Sequence, residues 1–145
     1  MEFVVKMKSP ALLITGFAAL LAVSACAPDI RLRGALDARS EVPATRSDGK
    51  GTVEALYNPA TRLLSYSVDY AGLTGPATAA HLHGPAAVGV SGPVAVPFAA
   101  PVTSPIRGTA ILTEPQAAAL MDGKMYANVH TAANPGGEIR GQLSR

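Results

Sequence analysis

Glycine and proline punctuate this chain throughout its apparent domain. They number 14 and 12 in 145 residues, and they fall between short runs in which apolar and polar residues alternate. Helices of ordinary length do not survive that spacing, because proline removes a backbone donor and glycine costs conformational entropy in a helix. Short strands joined by turns do. The length suits one domain. The expected fold is all-β: an antiparallel, Greek-key-like β-sandwich with one short helix near residues 113–122.

The strands are legible one by one. Ile30 to Leu36 alternates apolar and mostly polar residues. In Gly51 to Tyr57, Val53, Ala55 and Tyr57 share one side, as do Leu64, Tyr66, Val68 and Tyr70 in the next run. Tyr66 and Tyr70 read as core packing. Asn58-Pro59-Ala60-Thr61 between them has turn chemistry, so the two runs form a hairpin. Thr78 to His83 is a short strand, and Val94 to Val96, bounded by Pro93 and Pro97, suits a sheet edge. Ile106 to Leu112, Lys124 to His130 and Glu138 to Leu143 complete the set. The one helix has Thr113 as N-cap, Gln116 completing a capping box, and Gly123 as its stop.

The N-terminus is a targeting segment. Lys6 and Lys8 precede an apolar run from Ala11 to Val23. That run has roughly the length of a signal-peptide core and falls short of the ~20 residues that span a bilayer. It ends Val23-Ser24-Ala25-Cys26, which resembles the lipobox of bacterial lipoproteins. The resemblance implies a signal peptide over residues 1–25, cleavage before Cys26, and lipid (palmitate among its acyl chains) at that cysteine. Residues 26–30 would be a tether, and the domain would occupy 31–145. The expected location is extracytoplasmic, on the cell envelope, at the periplasmic face or the outer surface. Cys26 is also the single cysteine, so the chain forms no internal disulfide and no cysteine zinc cluster. A formal net charge of +2 without a basic cluster excludes the usual nucleic-acid footprint.

All three histidines lie in two segments of similar grammar. Ala80-His81-Leu82-His83-Gly84-Pro85 holds two, and Asn128-Val129-His130-Thr131 holds the third. Residues two apart on a strand leave the same face, so His81 and His83 point together. If the two strands are neighbours, His81, His83 and His130 converge as a three-nitrogen metal site suited to copper or zinc. Glu41 or Glu138 would supply an oxygen or orient a ring, with Asn128 and Arg140 on the same surface. The alternative is that the imidazoles simply hydrogen-bond in a polar corner, or that Tyr126, Asn128 and Arg140 face a ligand or partner. No phosphate loop precedes a helix, and neither Ser65 nor Ser67 sits in a nucleophile elbow.

Five stretches in order resemble the CHRD (chordin-type) domain: Glu41-Val42-Pro43, Asn58 to Tyr66, Gly72-Leu73-Thr74-Gly75-Pro76, Ala80 to Pro85, and Asn128-Val129-His130-Thr131 through Pro135 to Gln142. The resemblance implies an extracytoplasmic β-rich module used for binding, with a protein partner that the residues do not name. A second, local likeness is to copper/zinc superoxide dismutases, in the order strand, Gly-Leu-Thr, His-x-His. The chain departs from that family in having no fourth histidine, no cysteine pair and no clear zinc loop. The expected function is therefore a lipid-anchored, non-enzymatic binding module that holds a metal ion through three histidines. The alternative is a copper-dependent redox enzyme acting on superoxide.

Overall fold

The computed structural model describes Met1 and residues 28–145. Residues 2–27, which hold the expected signal segment and Cys26, lie outside the described residues. The elements run β1 (Ile30–Asp37), β2 (Lys50–Asn58), β3 (Leu63–Ala71), β4 (Ala77–His83), β5 (Val94–Pro97), β6 (Ile106–Ile111), α1 (Glu114–Met121), β7 (Tyr126–Thr131) and β8 (Ile139–Gln142). The fold is all-β and antiparallel, with a single short helix among the described residues.

The two layers expected of a sandwich are joined by hydrogen bonds into one sheet of eight strands, in the order β5-β4-β7-β8-β1-β2-β3-β6. The sheet curls almost into a barrel. Tyr66 of β3 stacks on Phe98, just beyond β5, with ring centroids 4.3 Å apart, although the two strands stand near opposite ends of that order. Helix α1 helps to close the seam. Its Gln116 Nε2 donates to the Ala95 carbonyl of β5, while the helix itself follows β6.

The continuity depends on the joint between β8 and β1. A side chain on Gly141 would run into the Ala35 carbonyl, and one on Gly34 into the Gln142 carbonyl. Two glycines let the backbones cross closely enough for the sheet to turn the corner. Nothing in their sequence neighbourhood announces that role.

The inward faces follow the alternation of the sequence. Leu32, Val53, Leu64, Val68, Leu82, Met125, Val129, Ile139 and Leu143 are all buried in one core. Leu120 of α1 joins them, held by a helix whose N-terminus has the Thr113–Gln116 capping box. Asn58 closes the β2–β3 turn by accepting from the Ala60 and Thr61 amides.

The outward face of β4, β7 and β8 is where the structure departs from simple alternation. Every residue of β7 is buried. The Gly/Pro loop after β4 folds back over this face. Arg140 Nη2 donates to the Val90 carbonyl, and Gln142 Nε2 donates to the Ala86 carbonyl. A polar surface that alternation would leave wet is thus roofed by backbone, which needs partners of its own.

Gly141→Ala is expected to destabilise the fold by about 1–3 kcal/mol, the usual cost of overpacking a tight site. Urea denaturation should show a lower midpoint, whereas the same change at Gly75, which has open space around it, should move the midpoint little.

Candidate metal centre

The β4–β7 ladder builds the site. Leu82 enters the core, so His81 and His83 leave by the opposite face. Antiparallel register sets His81 against Asn128, His83 against Tyr126, and Ala79 against His130. His130 therefore sits diagonally beside His81. Their ring centroids are 4.8 Å apart, and His83 lies 5.4 Å from His81 and 6.3 Å from His130. One ring nitrogen from each of the three falls within 4.8 Å of the others.

Two of the rings have their tautomers fixed. His83 Nδ1 is 2.9 Å from the Gly92 carbonyl, and His130 Nδ1 is 2.9 Å from the Pro135 carbonyl. A carbonyl only accepts, so each Nδ1 carries the hydrogen and each neutral ring keeps its lone pair on Nε2. His130 Nε2 lies 3.0 Å from His81 Nδ1 and 3.0 Å from Asn128 Oδ1. His83 Nε2 is buried without a hydrogen-bond partner.

Electrostatics favour the neutral form of His81 and His130. Burial, reinforced by the His130 and His83 rings, pushes the His81 pKa down. Burial also lowers that of His130, against the opposing pull of the Pro135 carbonyl and with a small contribution from His83. Uncharged imidazoles are the form that ligates metals.

The surroundings lock these rings in place. His83 stacks on Tyr126 at 4.8 Å and 5°, and the Arg140 guanidinium lies 3.4 Å over the Tyr126 ring. The Gly92 amide donates to Tyr126 Oη, so the loop that orients His83 is itself tied to the stack. Glu41 stands behind Asn128. Burial raises its pKa, while the Val42 amide, the Arg140 charge and the Asn128 amide oppose that rise.

The domain's family model, CHRD domain, matches residues 32–143. The chain belongs to the CHRD family. No curated protein and no solved structure gives a significant match.

Within the CHRD domain, the sequence motifs divide between two clusters. His81, His83, His130 and Asn128 meet, Glu41 approaches them through Asn128, and Arg140 approaches through Tyr126. Glu138, expected beside the rings, turns elsewhere. Its oxygens accept from Ser47 Oγ at 2.6 Å, the Thr74 amide and Oγ1 at 2.7 Å each, Thr131 Oγ1 at 2.5 Å and Asn134 Nδ2 at 3.0 Å. The reason is local. The Asn134–Gly137 turn reverses the chain between β7 and β8, so Glu138 meets Thr131 at the end of the ladder. It joins the Gly72–Pro76 stretch to the β7–β8 turn by hydrogen bonds alone.

The anchoring carbonyls of Gly92 and Pro135 escaped the sequence reading. Both lie in segments legible only as turns, and a backbone acceptor has no side-chain signature.

The Glu138 cluster predicts an acid response. Burial pushes its pKa up, but the hydrogen bonds from Ser47, Thr131 and Thr74 more than reverse this and hold it at about 2. A depressed carboxylate stabilises the fold above its unfolded pKa, and that contribution disappears as pH falls toward the folded value. Glu138→Gln should therefore lower the melting temperature at pH 7, at a cost of about 2 kcal/mol for charge-assisted bonds replaced by a misfit amide. Thermal melts should show the gap to wild type narrowing steadily between about pH 4.5 and pH 2.

Proposed function

We propose that this CHRD domain is a non-enzymatic binding module that holds one copper or zinc ion through His81, His83 and His130. The observation that carries the reading is the pair of Nδ1 tethers. The Gly92 and Pro135 carbonyls orient two rings so that Nε2 carries each lone pair; that of His83 is buried and unpartnered, and that of His130 meets His81 Nδ1 and Asn128 Oδ1. An unmet buried acceptor costs about 1–3 kcal/mol; Glu41 Oε1, Arg140 Nη1 and Gln142 Oε1 are unmet too, but of these four atoms only His83 Nε2 is a nitrogen that carries a lone pair. Metal-bound histidines characteristically donate their second nitrogen to a carbonyl or carboxylate. Imidazole ligation suits zinc and copper(II), with copper favoured in intrinsic affinity.

The module works outside the cytoplasm, tethered to the envelope by lipid on Cys26. Support for this comes from the Val23-Ser24-Ala25-Cys26 motif after a short apolar segment. Acyl chains on one cysteine suffice to keep an otherwise water-facing domain at a membrane surface. Mass spectrometry of the exported protein should find acylated Cys26 as its first residue, and a Cys26→Ala protein released from membranes supports the same reading. An unmodified N-terminus at another position overturns it.

A copper-dependent redox enzyme is the second reading. It is favoured by the partial exposure of His81, which leaves one ring open to a small reactant.

Isothermal titration of the exported protein with copper(II) or zinc is expected to give one ion per chain at micromolar affinity or better. His81→Ala and His130→Ala should each weaken binding by about a hundredfold or more, the loss of one ligand from a three-nitrogen set. Binding should persist slightly below pH 6.5, since both lowered histidine pKa values delay proton competition, and fail on further acidification. Wild-type protein that binds neither ion removes the proposal. Superoxide turnover by copper-loaded protein, lost in His81→Ala, would establish the redox reading instead.

A further inference from the structure

We infer that Asn128 Oδ1 is a fourth ligand to the same ion, which makes the centre a three-nitrogen, one-oxygen site completed by the protein. This rests on the three-histidine reading above and extends it.

Asn128 is directly opposite His81 in the ladder, two residues before His130 on the same face, and 2% exposed. Its Oδ1 is 3.0 Å from His130 Nε2, which in turn is 3.0 Å from His81 Nδ1. Metal–nitrogen and metal–oxygen bonds of about 2.0–2.2 Å place adjacent donors on one ion roughly 2.8–3.6 Å apart, from right-angled to tetrahedral geometry. Both contacts of His130 Nε2 fall in that range.

A hydrogen bond explains the contact poorly. The His130 Nδ1 hydrogen is directed at the Pro135 carbonyl, so the neutral ring offers a lone pair, not a donor, to Asn128. Reversing the amide would supply a donor but would turn its oxygen toward the Glu41 carboxylate. Glu41 Oε1 and Asn128 Nδ2 crowd the same point beside Gly137, where a side chain would collide with both. Asn128 is among the groups that hold the Glu41 pKa down, which favours the orientation in which the amide nitrogen faces the carboxylate and its oxygen faces the rings, although Glu41 Oε1 itself makes no hydrogen bond. Two acceptors brought together this way are reconciled by a cation between them.

The oxygen has consequences for which ion is held and for what purpose. A carbonyl donor beside three imidazoles favours zinc or copper(II) over copper(I), whose preference is for soft sulfur ligands. Four protein donors are the number found in closed structural sites, whereas catalytic sites keep a position for water. Glu41, acting on Nδ2, is then a positioning residue that aims the amide.

Copper(II) titration combined with water-proton relaxation tests the assignment on the exported protein. Wild type should bind one ion with weak enhancement of water relaxation. Asn128→Ala should still bind one ion through the histidines, at least about tenfold more weakly, with relaxation raised because water enters the vacated position. Asn128→Asp combined with Glu41→Gln, which removes the facing carboxylate charge, should bind more tightly than Glu41→Gln alone and keep relaxation weak, and it decides the matter if the alanine variant does not fold. Unchanged affinity and relaxation in Asn128→Ala, or no gain in affinity when Asn128→Asp is added to Glu41→Gln, would place the amide outside the coordination sphere and leave the three-histidine site standing. Wild type that binds no copper(II) or zinc would take down both.

Discussion

The antiparallel pairing of β4 with β7 is the constraint from which the rest of the molecule follows. Register alone puts His81 against Asn128 and His83 against Tyr126, and sets His130 on the diagonal. A slip of β4 by one residue would send His81 and His83 into the core and Leu82 outward, while His130 stayed where it is. The apolar set on the inner face therefore fixes the polar set on the outer one. The hydrophobic core has a direct role in the geometry of the site, since it prevents the ladder from sliding.

The polar clusters on either side of His130–Thr131 show two solutions to the burial of hydrogen-bonding groups. Glu138 is buried and satisfied from all sides by hydroxyls, an amide and a backbone N–H. That is the signature of a structural tie, because removing any partner leaves a charge exposed to low dielectric. The imidazole cluster is incomplete: His83 and His130 are buried and His81 is half-buried, with His83 Nε2 unmet. Adjacent residues on one strand thus separate a group that completes itself within the fold from one that leaves a buried nitrogen unmet. The contrast argues against treating the histidines as another polar staple.

The strands, the capped helix, the hairpin turn and the convergence of both histidine motifs were legible in the sequence, because each has a local signature: alternation, capping chemistry, or equal spacing on one face. The continuity of the sheet was not. It arises where β8 meets β1, through Gly34 and Gly141, and close approach between distant backbones leaves no periodic mark. The placement of Glu138 was missed for a related reason. On paper it alternates with Arg140, but the turn at Asn134–Gly137 directs it to Thr131 and Thr74. Arg140 stays with the site, since its guanidinium rests on Tyr126 and its Nη2 holds the roofing loop.

The same registers fix where the centre stands along the domain. His81, Asn128, Arg140 and Asp37 form one row across four strands. Asp37 is the far end of β1, whose first residue, Ile30, pairs with Tyr57. Eight residues at about 3.3 Å each separate the row from the start of the domain by roughly 25 Å. Asp29, held by Asn58, marks that starting end. On a chain tethered through residue 26, β1 would then act as a spacer, with the anchor at one end and the imidazoles toward the other. The centre would face the aqueous side, where ions arrive, and the loop from Gly84 to Gly92 would be the part of the wall that an entering ion meets, since it both roofs the face and orients His83.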